Sequence, residues 1–149
     1  MTVALGVLWA AVGYLAGSIP TGILVARARG VDLRAIGSGN IGATNVARAL
    51  GKRWALVTLV GDLVKGLVPT LGALGSTGDP RWVATTGLAA FVGHLYPLFA
   101  RFRGGKWAAT SVGVVLVIAP GAGVAAFLTY AIVYAKTRLS SAGSLAATT

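Results

Sequence analysis

The run Gly37-Ser38-Gly39-Asn40-Ile41-Gly42-Ala43-Thr44-Asn45-Val46-Ala47-Arg48 gathers hydrogen-bonding groups in a chain that is otherwise mostly apolar. Its glycines permit tight turns that bring backbone N–H groups close to a ligand. Ser38, Asn40, Thr44 and Asn45 add short neutral donors and acceptors, and Arg48 adds a forked cation. A helix starting near Gly39 would put Asn40, Thr44 and Arg48 on one face and Ala43, Val46, Ala47 and Leu50 on the other. A helix N-terminus behind a glycine turn suits phosphate. A surface loop with a short capped helix is the equally weighted alternative. The same letters match Gly-x-Gly-x-x-Gly at Gly37, Gly39 and Gly42. A dinucleotide site would need a preceding strand and an acid about 20 residues on, and no acid falls between Ile41 and Gly61. A Walker A loop fails for want of Gly-Lys-Ser/Thr at its spacing.

A second run, Arg103-Gly104-Gly105-Lys106, reads as half of a phosphate cradle, with exposed N–H groups and flanking cations. Thr110 and Ser111 follow a helical turn later with hydroxyls. By itself this loop is as well explained as a basic anchor at a membrane edge. His94, near Pro97, lies within two turns of it, and on the residues a structural and a substrate-touching role are equally open. Asp62 and Lys65 stand three apart on one helical face inside an apolar stretch, as either an ion-pair scaffold or a substrate-facing pair.

The elements that must hold these residues are membrane helices. Hydrophobic residues make up 56% of the 149 and charged residues 11%, where soluble domains carry about 25% charged. Segments at about 3–26, 54–74, 83–100, 107–119 and 122–136 read as five membrane-embedded helices of an all-α integral membrane protein, in a single domain over 1–149. The 107–119 run is short, so it is tilted or re-entrant. Gly13 and Gly17 suit close helix packing. Pro20 should kink the first segment and free carbonyls. Residues 75–82 read as a turn, and Pro120-Gly121-Ala122-Gly123 as a break. No basic residue occurs in 1–26, so the first segment reads as a retained helix with its N-terminus outside rather than a signal peptide.

Of 13 Lys and Arg against 3 Asp and Glu, eleven fall in loop 27–53, loop 101–106 and the tail at Lys136 and Arg138. Five segments put all of these on one side, which the positive-inside rule makes cytoplasmic. Both glycine-rich loops then share a face on which they can converge on one anionic ligand. The charge follows membrane segments, so no nucleic acid is expected as a partner. With no cysteine and a single histidine, neither a metal centre nor another cofactor is expected.

Gly17-Ser-Ile-Pro-Thr-Gly22, Gly37–Asn45, Asp62-Leu-Val-Lys-Gly66, Gly93-His94 with Pro97, Gly104-Gly-Lys106 with Ala109-Thr110-Ser111, and Thr137-Arg138 with Ser140-Ser141 occur in that order. Together they resemble the PlsY family of bacterial membrane glycerol-3-phosphate acyltransferases. The resemblance covers nearly the whole chain. It implies transfer of a fatty acyl group from acyl phosphate to the 1-hydroxyl of sn-glycerol 3-phosphate, giving lysophosphatidic acid, at cytoplasmic loops of a multi-pass protein in the bacterial plasma membrane. It implies catalytic roles for Ser38, Arg48, His94 and Lys106. Gly37, Gly39, Asn40, Thr44, Asn45, Gly104, Gly105, Thr110 and Ser111 would bind substrate, and the acyl chain would lie between helices in the lipid bilayer. The His-x4-Asp pattern of soluble-type acyltransferases is absent, since position 99 is Phe99. Two departures stand out. Trp107 follows Lys106 where the family carries glycine, so its indole is expected to crowd phosphate there, and the chain stops before a later C-terminal motif, as expected of a shortened member. A non-catalytic phosphate- or headgroup-binding membrane protein and a small anion transporter subunit are the competing classes.

Overall fold

The computed structural model describes residues 2–137 together with Gly143 and Ala146; the expectations for Arg138 and for Ser140-Ser141 lie outside the described residues. The chain is helical throughout what is described: α1 (Thr2–Gly17), α2 (Thr21–Arg27), α3 (Ala43–Leu50), α4 (Lys52–Thr77), α5 (Pro80–Leu95), α6 (Ala108–Ile118) and α7 (Pro120–Thr137), with short 3-10 turns at Leu33–Ala35 and Leu98–Ala100. Three stretches are long and apolar enough to cross a membrane, Val3–Arg27, Lys52–Thr77 and Pro80–Ala100, and Ala108–Ile118 is a shorter apolar helix.

The packing follows the logic of a lipid solvent. Along α4 the buried positions are Thr58, Asp62, Lys65, Gly66, Pro69, Thr70 and Ala73, and along α5 they are Val83, Thr86, Gly87, Ala90, Gly93 and His94. Each set recurs every three or four residues and so forms one stripe. The stripes are small and polar, whereas Val57, Val60, Val64, Val68, Leu71 and Leu88 point outward. Water-soluble helices do the reverse; in a bilayer, close approach of small residues holds helices together. Gly13 and Gly17 of α1 lie against the Thr86 and Ala90 carbonyls of α5, and Gly113 of α6 lies against the Leu63 carbonyl of α4. Two buried hydroxyls spend their bonds locally, Thr58 on the Trp54 carbonyl at 3.0 Å and Thr70 on the Gly66 carbonyl at 2.7 Å, while those of Ser18, Thr86 and Thr110 have no hydrogen-bond partner.

Four boundaries differ from the sequence reading. Pro20 does more than kink the first segment: α1 stops at Gly17 and α2 restarts at Thr21, because proline has no N–H to continue the ladder. Loop 27–53 is largely structured, with the 3-10 turn and α3 inside it. The 75–82 turn shrinks to Gly78 and Asp79. Asp79 caps α5 by accepting the Arg81 N–H at 2.9 Å, and the Arg81 side-chain bonds hold its carboxyl below the ordinary value. Finally, Pro120 opens α7 with only Ala119 between it and the end of α6, since the fixed φ of proline suits a first helical position.

Candidate functional site

The first glycine-rich loop is built around one side chain. Asn45 is buried. Its Nδ2 donates to the Leu33 carbonyl at 3.1 Å and the Ile36 carbonyl at 2.9 Å, and its Oδ1 accepts the Ser38 N–H at 3.2 Å. These three bonds curl residues 33–38 over the start of α3. Gly37 and Gly39, at φ +56° and +67°, take the left-handed conformation the curl requires. The loop continues with the Ser38 hydroxyl accepting the Asn40 N–H at 3.4 Å and Asn40 Oδ1 accepting the Gly42 N–H at 2.8 Å. The helix therefore starts at Ala43, not near Gly39. Asn40 lies ahead of it and shares no helical face with Thr44 and Arg48.

The second loop lies flat on the end of α5. Gly104 is pressed against the His94 and Leu95 carbonyls. The Gly105 N–H donates to the His94 carbonyl at 3.4 Å. His94 Nε2 is 2.9 Å from the Lys106 carbonyl; a carbonyl only accepts, so this nitrogen carries the proton.

The two loops meet at Gly105. A Cβ placed there would stand 3.0 Å from Ile41 Cγ1, 3.2 Å from His94 Nε2 and 3.5 Å from Asn40 Oδ1. Arg34 ties them together on the outside, donating to the Arg103 carbonyl at 2.7 Å and the Ala100 carbonyl at 3.4 Å. Sequence reasoning used Arg34 only as a loop charge; nothing in its neighbours marks it as a bridge. Trp54 receives the Arg29 guanidinium 4.5 Å above its ring, fixing the entry to the loop on α4.

The expected site residues therefore separate into groups. Ser38, Arg48 and Lys106 are exposed, and Asn40, Thr44 and Gly105 are half-buried. Arg48 lies beside Gly37, whose Cβ would be 3.5 Å from Arg48 Cδ. Arg48 and Lys106 form no ion pair among the described residues, which leaves two cations available to an anion. Four others stand differently. Asn45 has its amide fully engaged and shapes the loop. His94 is buried with Nε2 turned to a backbone carbonyl. Thr110 is buried in the α4–α6 seam against Gly66, and Ser111 donates back to the Trp107 carbonyl at 2.9 Å. Thr110 meets Gly66 through its carbonyl and methyl, because Gly66 and Gly113 draw that face of α6 onto α4, and its buried hydroxyl has no hydrogen-bond partner.

A family model described as glycerol-3-phosphate acyltransferase matches residues 7–149. A protein of that name from Anaeromyxobacter sp. (strain K) is 51% identical over 150 residues, covering 97% of this chain and 75% of its own. One from Geobacter sulfurreducens is 53% identical over 137 residues, covering 92% of this chain and 71% of its own. Among solved structures, PlsY (YgiH), an integral membrane glycerol 3-phosphate acyltransferase, matches in its glycerol 3-phosphate form with a TM-score of 0.90 at 41% identity, over 96% of this chain and 72% of that one. Its lysophosphatidic acid form matches with a TM-score of 0.87 at 40% identity.

Proposed function

The chain belongs to the glycerol-3-phosphate acyltransferase family, and we propose that it transfers a fatty acyl group from acyl phosphate to the 1-hydroxyl of sn-glycerol 3-phosphate, releasing lysophosphatidic acid and inorganic phosphate. The observation that carries this reading is the convergence of two glycine-rich loops at Gly105, each carrying an exposed cation, Arg48 and Lys106, that forms no ion pair among the described residues. Both substrates bring a phosphate, and charge-assisted bonds to arginine and lysine are the strong ones for such groups.

Acyl phosphate is a mixed anhydride and already activated. The glycerol hydroxyl oxygen attacks the acyl carbonyl carbon, the bond from that carbon to the phosphate oxygen breaks, and the departing phosphate carries off the hydroxyl proton. No covalent enzyme intermediate is needed. Arg48, Lys106 and the Ser38 hydroxyl hold phosphate oxygens and so stabilise the charge that gathers on the leaving group. Asn40 and Thr44 orient the glycerol, while Asn45 and His94 keep the two loops in shape. The acyl chain runs out between helices into the bilayer, and both loops face the cytoplasm of a bacterial plasma membrane.

The test is acyl transfer to radiolabelled glycerol 3-phosphate by the purified chain in lipid nanodiscs, with palmitoyl phosphate and palmitoyl-CoA compared as donors. Labelled lysophosphatidic acid from palmitoyl phosphate alone is the expected result. No product from either donor, or preference for the thioester, overturns the reading.

A further inference from the structure

Two charges buried in the middle of the bundle have no place in the chemistry above. Asp62 and Lys65 of α4 have side chains only 5% exposed, and Lys65 Nζ stands 2.8 Å from Asp62 Oδ1. Ionisable groups at membrane depth are expensive and face a protein interior or a cavity. A buried ion pair is seldom a net source of stability, since apolar replacements of similar volume are often neutral or better. Stability alone therefore does not account for the pair; its contacts suggest what does.

Lys65 reaches past Asp62 to the break between α1 and α2, where it donates to the Ile19 carbonyl at 2.7 Å. That carbonyl also accepts the Thr21 N–H at 3.0 Å across the break. On the other side, His94 Nδ1 lies 3.9 Å from Asp62 Oδ1. His94 Nε2 in turn meets the Lys106 carbonyl at 2.9 Å. With the proton on Nε2, Nδ1 presents a lone pair, and no hydrogen bond crosses this gap to Asp62; the hydrogen bonds run from Lys65 to the helix break and, separately, from His94 to the second glycine-rich loop. What joins them is packing: Gly93, next to His94, lies against the backbone of Gly17 and Ser18 at the helix break.

We propose that Asp62 and Lys65 are positioning residues: by holding the helix break against Gly93, beside His94, they fix where loop 104–106 stands relative to the first loop, and hence where Lys106 meets phosphate. The inference rests on the acyl-transfer reading for its kinetic arm only.

Removing one charge would strand the other, so the informative variant removes both: Asp62→Asn with Lys65→Met. Its thermal midpoint is expected to stay within a few degrees of wild type. Backbone hydrogen exchange in 101–107 and 18–21 is expected to quicken by about tenfold or more, and the KM for glycerol 3-phosphate to rise by a similar factor with a smaller change in kcat. Misplacement by about 1 Å costs up to roughly a hundredfold. His94→Gln, which leaves the ion pair intact, should quicken exchange in 101–107 alike. Combining it with the double change should add little, because residues in one network are not additive. Wild-type exchange and KM in the pair variant overturn the proposal, as do multiplying effects in the combination. If the pair variant fails to fold, Lys65→Arg, which keeps the charge and displaces the contact with the Ile19 carbonyl, decides it: unaltered exchange in 18–21 and 101–107 sinks the proposal and faster exchange in both supports it. If the wild type transfers no acyl group, the functional reading falls while the exchange arm still decides this one.

Discussion

Arg48 and Asn45 lie three residues apart on α3 and are expected to fail in different ways. Arg48 is exposed and pairs with no acid, so Arg48→Ala should leave the thermal midpoint unchanged while turnover falls. Losing a hydrogen bond to a charged group typically costs about 1.5–3 kcal/mol, or roughly 10- to 150-fold. Asn45 is buried and its amide closes the first loop, so Asn45→Ala strands the Leu33 and Ile36 carbonyls and the Ser38 N–H. Each group left unsatisfied costs about 1–3 kcal/mol, and the midpoint and turnover should fall together. Thermal denaturation beside initial rates separates the two; an unshifted midpoint for Asn45→Ala would refute its structural role. Trp107 is a third case. Its φ of −65° needs no glycine, and its side chain stands partly exposed at the start of α6, as an indole at a membrane interface does. The crowding of phosphate suggested by its replacement of the family glycine therefore gives way to anchoring. Trp107→Gly should leave both KM values within about twofold and lower the midpoint slightly, through loss of the indole's interfacial anchoring and not through the backbone, since glycine is well tolerated at an N-cap. A lowered KM for the phosphorylated substrates would bring crowding back.

Helix positions depend on glycines that admit a neighbour's backbone. A methyl at Gly113 would meet the Leu63 carbonyl, whereas one at Gly75, late in α4, meets nothing within 4 Å. Gly113→Ala should push α6 off α4 and cost about 1–3 kcal/mol. Gly75→Ala should stabilise by roughly 0.5–1 kcal/mol. Opposite shifts in thermal midpoint check both, and equal shifts would mean that the α4–α6 seam is looser than drawn. These seams explain what could be read in the sequence. The apolar stretches, the Pro20 interruption, the small residues Gly13 and Gly17 and the two glycine-rich loops are local signals, visible in residue type and spacing. Sequence order groups Thr110 with the second loop, yet the Gly66 contact that packs it on α4 joins residues 44 apart. Arg34 bridges to residues 66 and 69 positions away, and the Lys65 contact with Ile19 spans 46. No spacing rule reaches such pairs.

For the whole molecule, the placement of charge fixes a direction. α4 runs the 26 residues from Lys52 to Thr77, and at 1.5 Å per residue that is about 39 Å, enough to cross a hydrocarbon layer of roughly 30 Å. Its first turn carries Lys52 and Arg53 beside a loop rich in arginine. Its last turn carries no basic residue, and the turn beyond it pairs Asp79 with Arg81 at 2.9 Å. An excess of lysine and arginine marks the cytoplasmic side, so the two ends of this one helix should lie in different compartments. The chain has no cysteine of its own, which makes single-cysteine labelling clean. Lys52 and Ser76 are both exposed and lie outside the proposed site. In intact cells a membrane-impermeant thiol reagent should label Ser76→Cys and spare Lys52→Cys; in inverted vesicles the pattern should reverse. Labelling of both positions from one side would mean that α4 does not cross. A reversed pattern would place the two glycine-rich loops outside the cell, away from a phosphorylated substrate made in the cytoplasm, and the proposed reaction would then lose its substrate even with the site intact.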